Sequence, residues 1–173
     1  MADKYIYTNG GVLTEREATV VSTGASEAGD IVALDNTGRL DNSVLPVGIG
    51  ADTAVIEASE NLAAGDFVNI WNDSGVVKVR KADATTAGKQ AHGFVLASVT
   101  ATDPATVYFE GSNTQAGGTL VGGEVYLSTT PGIPTSTAPT GSGNVQQVVG
   151  FCVDGSGSPN VVNFQSRPPI VLA

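Results

Sequence analysis

The chain has 173 residues, and seventeen acidic residues against eight basic ones leave a net charge of −9 with no Lys/Arg run anywhere. Binding along a nucleic-acid backbone needs clustered cations to displace counterions, so nucleic acid is not expected as a partner. Charged residues make up 14% of the chain, against a usual share of about 25%, while 22 Gly and 8 Pro favour many turns between short strands.

At this length folding buries roughly 70% of the unfolded surface, so one domain, with an arm or a duplicated half, needs no metal or disulfide staple. Cys152 is the single cysteine. It permits no internal disulfide and, inside Val148-Val149-Gly150-Phe151-Cys152-Val153, reads as a small buried thiol. The opening MADKYIYTNGG has no apolar core for a signal peptide. No stretch approaches the roughly 20 apolar residues of a membrane span. The expectation is a soluble protein made in the cytoplasm, with no membrane partner. Its acidity suits a self-repelling surface or docking onto a more basic protein.

Residues 1–24 read as an extended N-terminal arm. Tyr5, Ile6 and Tyr7 suit a strand, Gly10-Gly11 a turn, and residues 13–21 either a short helix or an edge strand. Few apolar residues are available for this arm to fold alone, so it is expected to order against a neighbour. Residues 25–46 read as a hairpin or linker, with Ile31, Val32 and Leu34 in a strand, a turn at Asp35-Asn36-Thr37-Gly38, Leu40 starting the return and Pro46 closing it. Calcium ligation by Asp35, Asn36, Thr37 and Asp41 lacks the acid that a helix-flanked loop carries at its twelfth position, so a turn is expected.

The strongest local signal is Ser59–Lys81. Asp66-Phe67-Val68-Asn69-Ile70-Trp71, the turn Asn72-Asp73-Ser74-Gly75, and Val76-Val77-Lys78-Val79-Arg80 read as a β-hairpin. Its lead-in occurs three times, as Gly29-Asp30, Gly65-Asp66 and Gly123-Glu124, each before a β-branched or aromatic run. From Val47 the chain repeats itself. Gly65 matches Gly123, Gly93 matches Gly150 and Phe109 matches Phe164, in one order at near-constant offset. Residues 47–166 are therefore expected to be a duplicated β domain, about 47–111 and 112–166. The polar stretches 81–91 and 128–144 read as surface loops. Residues 167–173 read as an extended tail packed in a groove of its own domain or of a partner. The predicted class is all-β: a duplicated hairpin unit forming a compact β-barrel-like or β-sandwich knob with an extended arm.

No constellation carries chemistry. His92 is the sole histidine, and a Ser-His-Asp site would have to recruit Asp154-Gly155-Ser156-Gly157-Ser158-Pro159. That segment bears a superficial likeness to trypsin-like proteases, whose Ala-Ala-His-Cys segment, disulfides and length are missing. One His and one Cys build no zinc cluster. Gly-x-Gly at 48–50, 141–143 and 155–157 opens no helix. Glu57, Glu60, Asp66, Glu110, Glu124 and Asp154 offer acids, but Trp71 is the only tryptophan and no aromatic sugar cleft is marked. Neither an enzyme nor a cofactor is expected.

Ala63-Ala64-Gly65-Asp66-Phe67-Val68-Asn69-Ile70, His92-Gly93-Phe94-Val95-Leu96-Ala97, residues 105–111 (ATVYFEG) and residues 122–132 (GGEVYLSTTPG) together resemble virion proteins of tailed bacteriophages. Val148-Val149-Gly150-Phe151, Asn163-Phe164 and residues 168–173 (PPIVLA) fit the same pattern. The similarity is to small capsid cement, or decoration, proteins and the β-rich heads of capsid fibres, and it spans nearly the whole chain. Residues 38–46 (GRLDNSVLP) also resemble a linker of phage tail and fibre proteins. The absence of any Gly-X-Y run departs from collagen-like fibres and favours a compact knob.

The resemblance implies a structural protein on the virion surface that binds the major capsid protein at junctions between subunits, often as a homotrimer. It implies resistance to internal DNA pressure and no catalytic residues. The residues expected at partner interfaces are Tyr5, Ile6, Tyr7, Val12 and Leu13 in the arm and Ile170, Val171 and Leu172 in the tail. The alternatives are a tail, baseplate or fibre-associated structural protein, and a small host- or glycan-binding module.

Overall fold

The computed structural model describes residues 3–46, 50–155, 157 and 159–173. They fall into two compact units, one running to Gly50 and one starting at Ala51. Among the described residues every regular element is a strand except two three-residue 3₁₀ turns, Ala25–Glu27 and Asn42–Val44, so the class is all-β as expected. Val47, expected to open the duplicated domain, lies outside the described residues.

The first unit begins with a hairpin. Strand β1 (Lys4–Asn9) pairs with β2 (Val12–Glu17) from Lys4↔Glu17 to Asn9↔Val12. Gly10 and Gly11 sit at φ +58° and +87°, the positive values that a two-residue turn needs to match strand twist. The strand reading of this stretch therefore holds for residues 12–17.

Residues 25–46 depart from expectation. Ile31, Val32 and Leu34 form no hairpin ladder; Val32 makes one parallel bridge to Thr19. The Ile31 carbonyl and Ala33 amide bond to Thr19 instead, at 2.9 and 3.0 Å, while the turn at Asp35 does form, with its amide donating to Arg39 O at 2.8 Å. The Asp35 Oδ1 accepts from the Thr37 amide at 2.8 Å, the Thr37 hydroxyl at 2.7 Å and the Arg39 amide at 2.9 Å. Beyond the turn, Asp41 accepts from the Ser43 amide at 2.9 Å to start the second 3₁₀ turn.

The second unit holds two five-stranded sheets of like strand order. Strands β3 (Thr53–Glu57), β4 (Phe67–Asp73), β5 (Val76–Lys81), β6 (Gly93–Phe94) and β7 (Pro104–Tyr108) form a sheet ordered β3-β7-β6-β4-β5. Strands β8 (Gly111–Ala116), β9 (Gly123–Leu127), β10 (Pro134–Thr135), β12 (Val148–Asp154) and β13 (Asn160–Phe164) are ordered β8-β13-β12-β9-β10. Both sheets read first-fifth-fourth-second-third. The remaining strands, β11 (Val145–Gln146) and β14 (Ile170–Val171), pair with each other.

Glycines mark equivalent crossings. A Cβ on Gly93 would lie 2.5 Å from the Tyr108 carbonyl oxygen, and one on Gly150 would lie 2.1 Å from that of Asn163. The matched glycines admit the same neighbouring strand. The expected hairpin also forms: β4 pairs with β5 through Asp73↔Val76, with Ser74 and Gly75 at φ +55° and +95° and the Asn72 side chain accepting from the Gly75 amide at 2.6 Å. The Gly-Asp/Glu lead-in opens a strand at 66 and 124 but not at 30.

Two apolar clusters hold this unit. One, of Ala58, Leu62, Val68, Val79, Val95, Ala105 and Val107, belongs to the first half alone. The other joins the halves, with Phe67 and Phe94 meeting Phe164 at centroid distances of 5.8 and 5.7 Å. The loops were expected at the surface, and here the expectation is corrected. Ala82, Ala84 and Ala91 are fully buried. The Ala84 amide donates to Ser128 O at 2.8 Å, Gly132 N to Ala82 O at 2.8 Å and Phe67 N to Gly132 O at 2.9 Å. Alanine and glycine let the two backbones approach closely enough to hydrogen-bond across the halves.

Candidate interaction surface

Several residues weighed for chemistry in the sequence make structural contacts. His92 Nδ1 accepts from the Ile70 amide at 3.0 Å, and partial desolvation lowers its pKa from the ordinary 6.5. Cys152 is buried. Trp71 is half-buried, its indole N–H donating to Ser59 Oγ at 3.3 Å and its face covered by the Arg80 guanidinium at 4.5 Å, an arrangement that removes the platform a sugar would stack on. Arg80 in turn donates to Asn69 Oδ1 at 3.0 Å and Gly88 O at 2.9 Å.

The acids follow suit. Glu57 meets Lys78 at 3.1 Å and Glu124 meets Arg167 at 2.9 Å, Glu60 accepts from the Lys81 amide at 2.9 Å, and buried Asp66 meets Lys81 at 3.2 Å. Among the described residues no three His, Cys, Asp or Glu side chains converge as a metal site requires. Ser156 and Ser158 lie outside the described residues.

Among the described residues, exposed large apolar side chains are densest in the first unit, with eight before Gly50 and seven, from Val55 to Val171, spread over the longer second unit. Residues 3–46 contain eleven Ile, Leu and Val side chains. Eight of them, Ile6, Val12, Leu13, Val21, Ile31, Val32, Leu34 and Leu40, are between 45% and 76% exposed, and no described residue of the unit is fully buried. The second unit closes around two buried clusters. A unit of this size with no buried apolar side chain has too little apolar contact to hold itself against chain entropy.

Polar ties set its local shape. Arg16 reaches from β2 to Asp30 at 2.6 Å, Thr19 donates to the other Asp30 oxygen at 3.2 Å, and the Arg16 guanidinium lies 5.7 Å from the centre of the Tyr7 ring. Glu27 accepts from the Thr23 hydroxyl and amide, each at 2.7 Å, and these bonds hold its carboxyl below the usual range.

The structure separates the residues expected to act together in the arm. Strand alternation puts Tyr5, Tyr7 and Val12 on one hairpin face and Ile6 and Leu13 on the other. Tyr5 and Tyr7 are half-buried with ring centres 6.1 Å apart. Ile6 and Leu13 are 63% and 76% exposed. In the tail, Ile170 and Val171 are exposed and Leu172 is half-buried. Sequence reasoning missed Val21, Ile31, Val32, Leu34 and Leu40 as surface groups. Comparison with protein-family models, curated proteins and solved structures finds no match for this chain.

Proposed function

We propose that this is a structural virion protein that binds the outer surface of a tailed-phage capsid, at junctions between major capsid subunits, and stabilises the shell. One observation carries the reading: apolar side chains are left uncovered in the unit up to Gly50, whereas the second unit closes around its own core. Burying an Ile, Leu or Val side chain contributes about 1.5–3 kcal/mol, so eight exposed ones supply ample driving force for docking. The same unit has seven acidic and three basic residues in positions 1–50, which suits a partner surface that is apolar and locally basic. The sequence resemblance to cement proteins supplies the identity of that partner. A protein that works by covering a seam needs shape and contact area, not a reactive group.

Co-sedimentation with emptied, expanded capsids tests this. The full chain is expected to saturate capsid sites, and Ile6→Asp/Leu13→Asp to lower occupancy at least tenfold. No capsid affinity overturns the proposal. Full occupancy after deletion of residues 1–24 would remove the hairpin from the contact. Labelled imaging that finds the protein on tails assigns it to the tail instead.

A further inference from the structure

The end of the segment after Phe164 is tied down by its main chain while the side chains of Ile170 and Val171 stay in solvent. Arg167 fixes the root: its amide donates to Val148 O at 3.0 Å, and its guanidinium meets Glu124 at 2.9 Å and lies 5.6 Å from the centre of the Phe151 ring. Pro168 and Pro169 follow, with no N–H to give. Strand β14 then pairs with β11 through Gln146↔Ile170 and Val145↔Val171. The Leu172 amide donates to Asn144 O at 2.9 Å, and the Leu172 carbonyl accepts from Gly143 N at 2.9 Å. Yet Ile170 is 62% exposed and Val171 54%. Ordering these residues costs conformational freedom, and the closed arrangement returns little apolar burial for it.

We propose that β14 is an exchangeable strand, which in the assembled protein pairs with the 143–146 edge of a second copy. The structure itself identifies what that edge accepts, because this segment already occupies it, and every copy carries both edge and strand. The two prolines are stiff and extended and span roughly 6 Å, so a recipient edge has to abut the donor. That proximity places Ile170 and Val171 between copies and covers them. Exchange of an identical element is a low-cost route to a symmetric oligomer. The inference stands apart from the capsid reading, since it needs no other protein.

Light scattering on the full chain and oxidation of a Gln146→Cys/Ile170→Cys variant test it together; buried Cys152 lies off this pair. Expected are a solution mass that is a multiple of the single chain, disulfides linking different chains on a non-reducing gel, and a return to single-chain mass on Ile170→Asp. A single-chain mass at every concentration overturns the proposal. So does a multiple mass with disulfides only within chains. If the pair does not oxidise, a multiple mass unmoved by Ile170→Asp overturns it as well.

Discussion

The two halves of the second unit share one strand order but close differently. In the first, β5 is six residues long and bends round to meet the end of β3. Ala58 bridges Val79, the Ser59 amide donates to Val79 O at 2.8 Å, and Lys78 meets Glu57 at 3.1 Å. The curled sheet encloses a cluster of its own. In the second half the equivalent strand, β10, has two residues, one of them Pro134, which has no N–H to extend a ladder. Every second-half member of the two clusters, from Ala116 to Phe164, packs in the shared one. The strand order is shared, and the length of the third strand decides which half has an interior of its own.

The sharpest test of equivalence is the glycine crossing. Gly93→Ala puts a methyl 2.5 Å from Tyr108 O and 2.7 Å from Val107 Cγ1, and Gly150→Ala puts one 2.1 Å from Asn163 O at φ +150°. Backbone does not yield to such contacts, so each is expected to lose about 4 kcal/mol or more, read as the shift in urea midpoint. Tolerance at one site with collapse at the other breaks the equivalence.

The next test separates shared from private interior. Phe164→Ala removes the ring between Phe67 and Phe94 and is expected to cost about 3–5 kcal/mol. Val68→Ala, in the first half's own cluster, is expected to cost about 2 kcal/mol. Both are expected to leave a single unfolding transition, and a second transition in Phe164→Ala would show that the first half stands without its copy. Smaller again is Gln147→Leu. This buried side chain accepts from the Ala91 amide at 2.8 Å and donates to Ala91 O at 3.0 Å and Ser166 Oγ at 2.8 Å. Leaving the Ala91 amide unpaired, with the Ala91 carbonyl kept only by the Ser166 hydroxyl at 3.4 Å, is expected to cost about 1–3 kcal/mol, measured the same way.

The β4–β5 hairpin was legible because Asn-Asp-Ser-Gly sits between two apolar runs, and the repeat was legible because Gly93 and Gly150 mark backbone crossings that only glycine fits. Strands β6, β10, β11 and β14, at two residues each, are too short to show a period. The burial of Ala82, Ala84 and Ala91 was hidden because small residues in a polar stretch carry no hydrophobic pattern, and only the partner backbone reveals why they are small. In the candidate surface, alternation alone separates Tyr5 and Tyr7 from Ile6. Ile31, Val32 and Leu34 misled because an apolar run normally implies a core, whereas the 31–33 backbone pairs with Thr19, a partner no local pattern marks.

The smallest effect concerns the loop that joins the halves, and it depends on pH. Asp83 is 3% exposed. Burial pushes its carboxyl up, but the Thr85 hydroxyl, the Lys89 ammonium at 3.0 Å and the Thr85 amide at 2.9 Å outweigh that and hold it below the ordinary 3.8. The folded chain therefore releases this proton more readily than the unfolded one. Its contribution is fully present above about pH 4 and is lost as pH falls through the folded value. Asp83→Asn is expected to cost about 1 kcal/mol at pH 7, given the half-exposed lysine partner. The gap between parent and variant should close as urea melts are repeated below pH 3.8. A gap that stays constant with pH would show that Asp83 holds residues 82–91 through hydrogen-bond geometry alone, with no contribution from its charge.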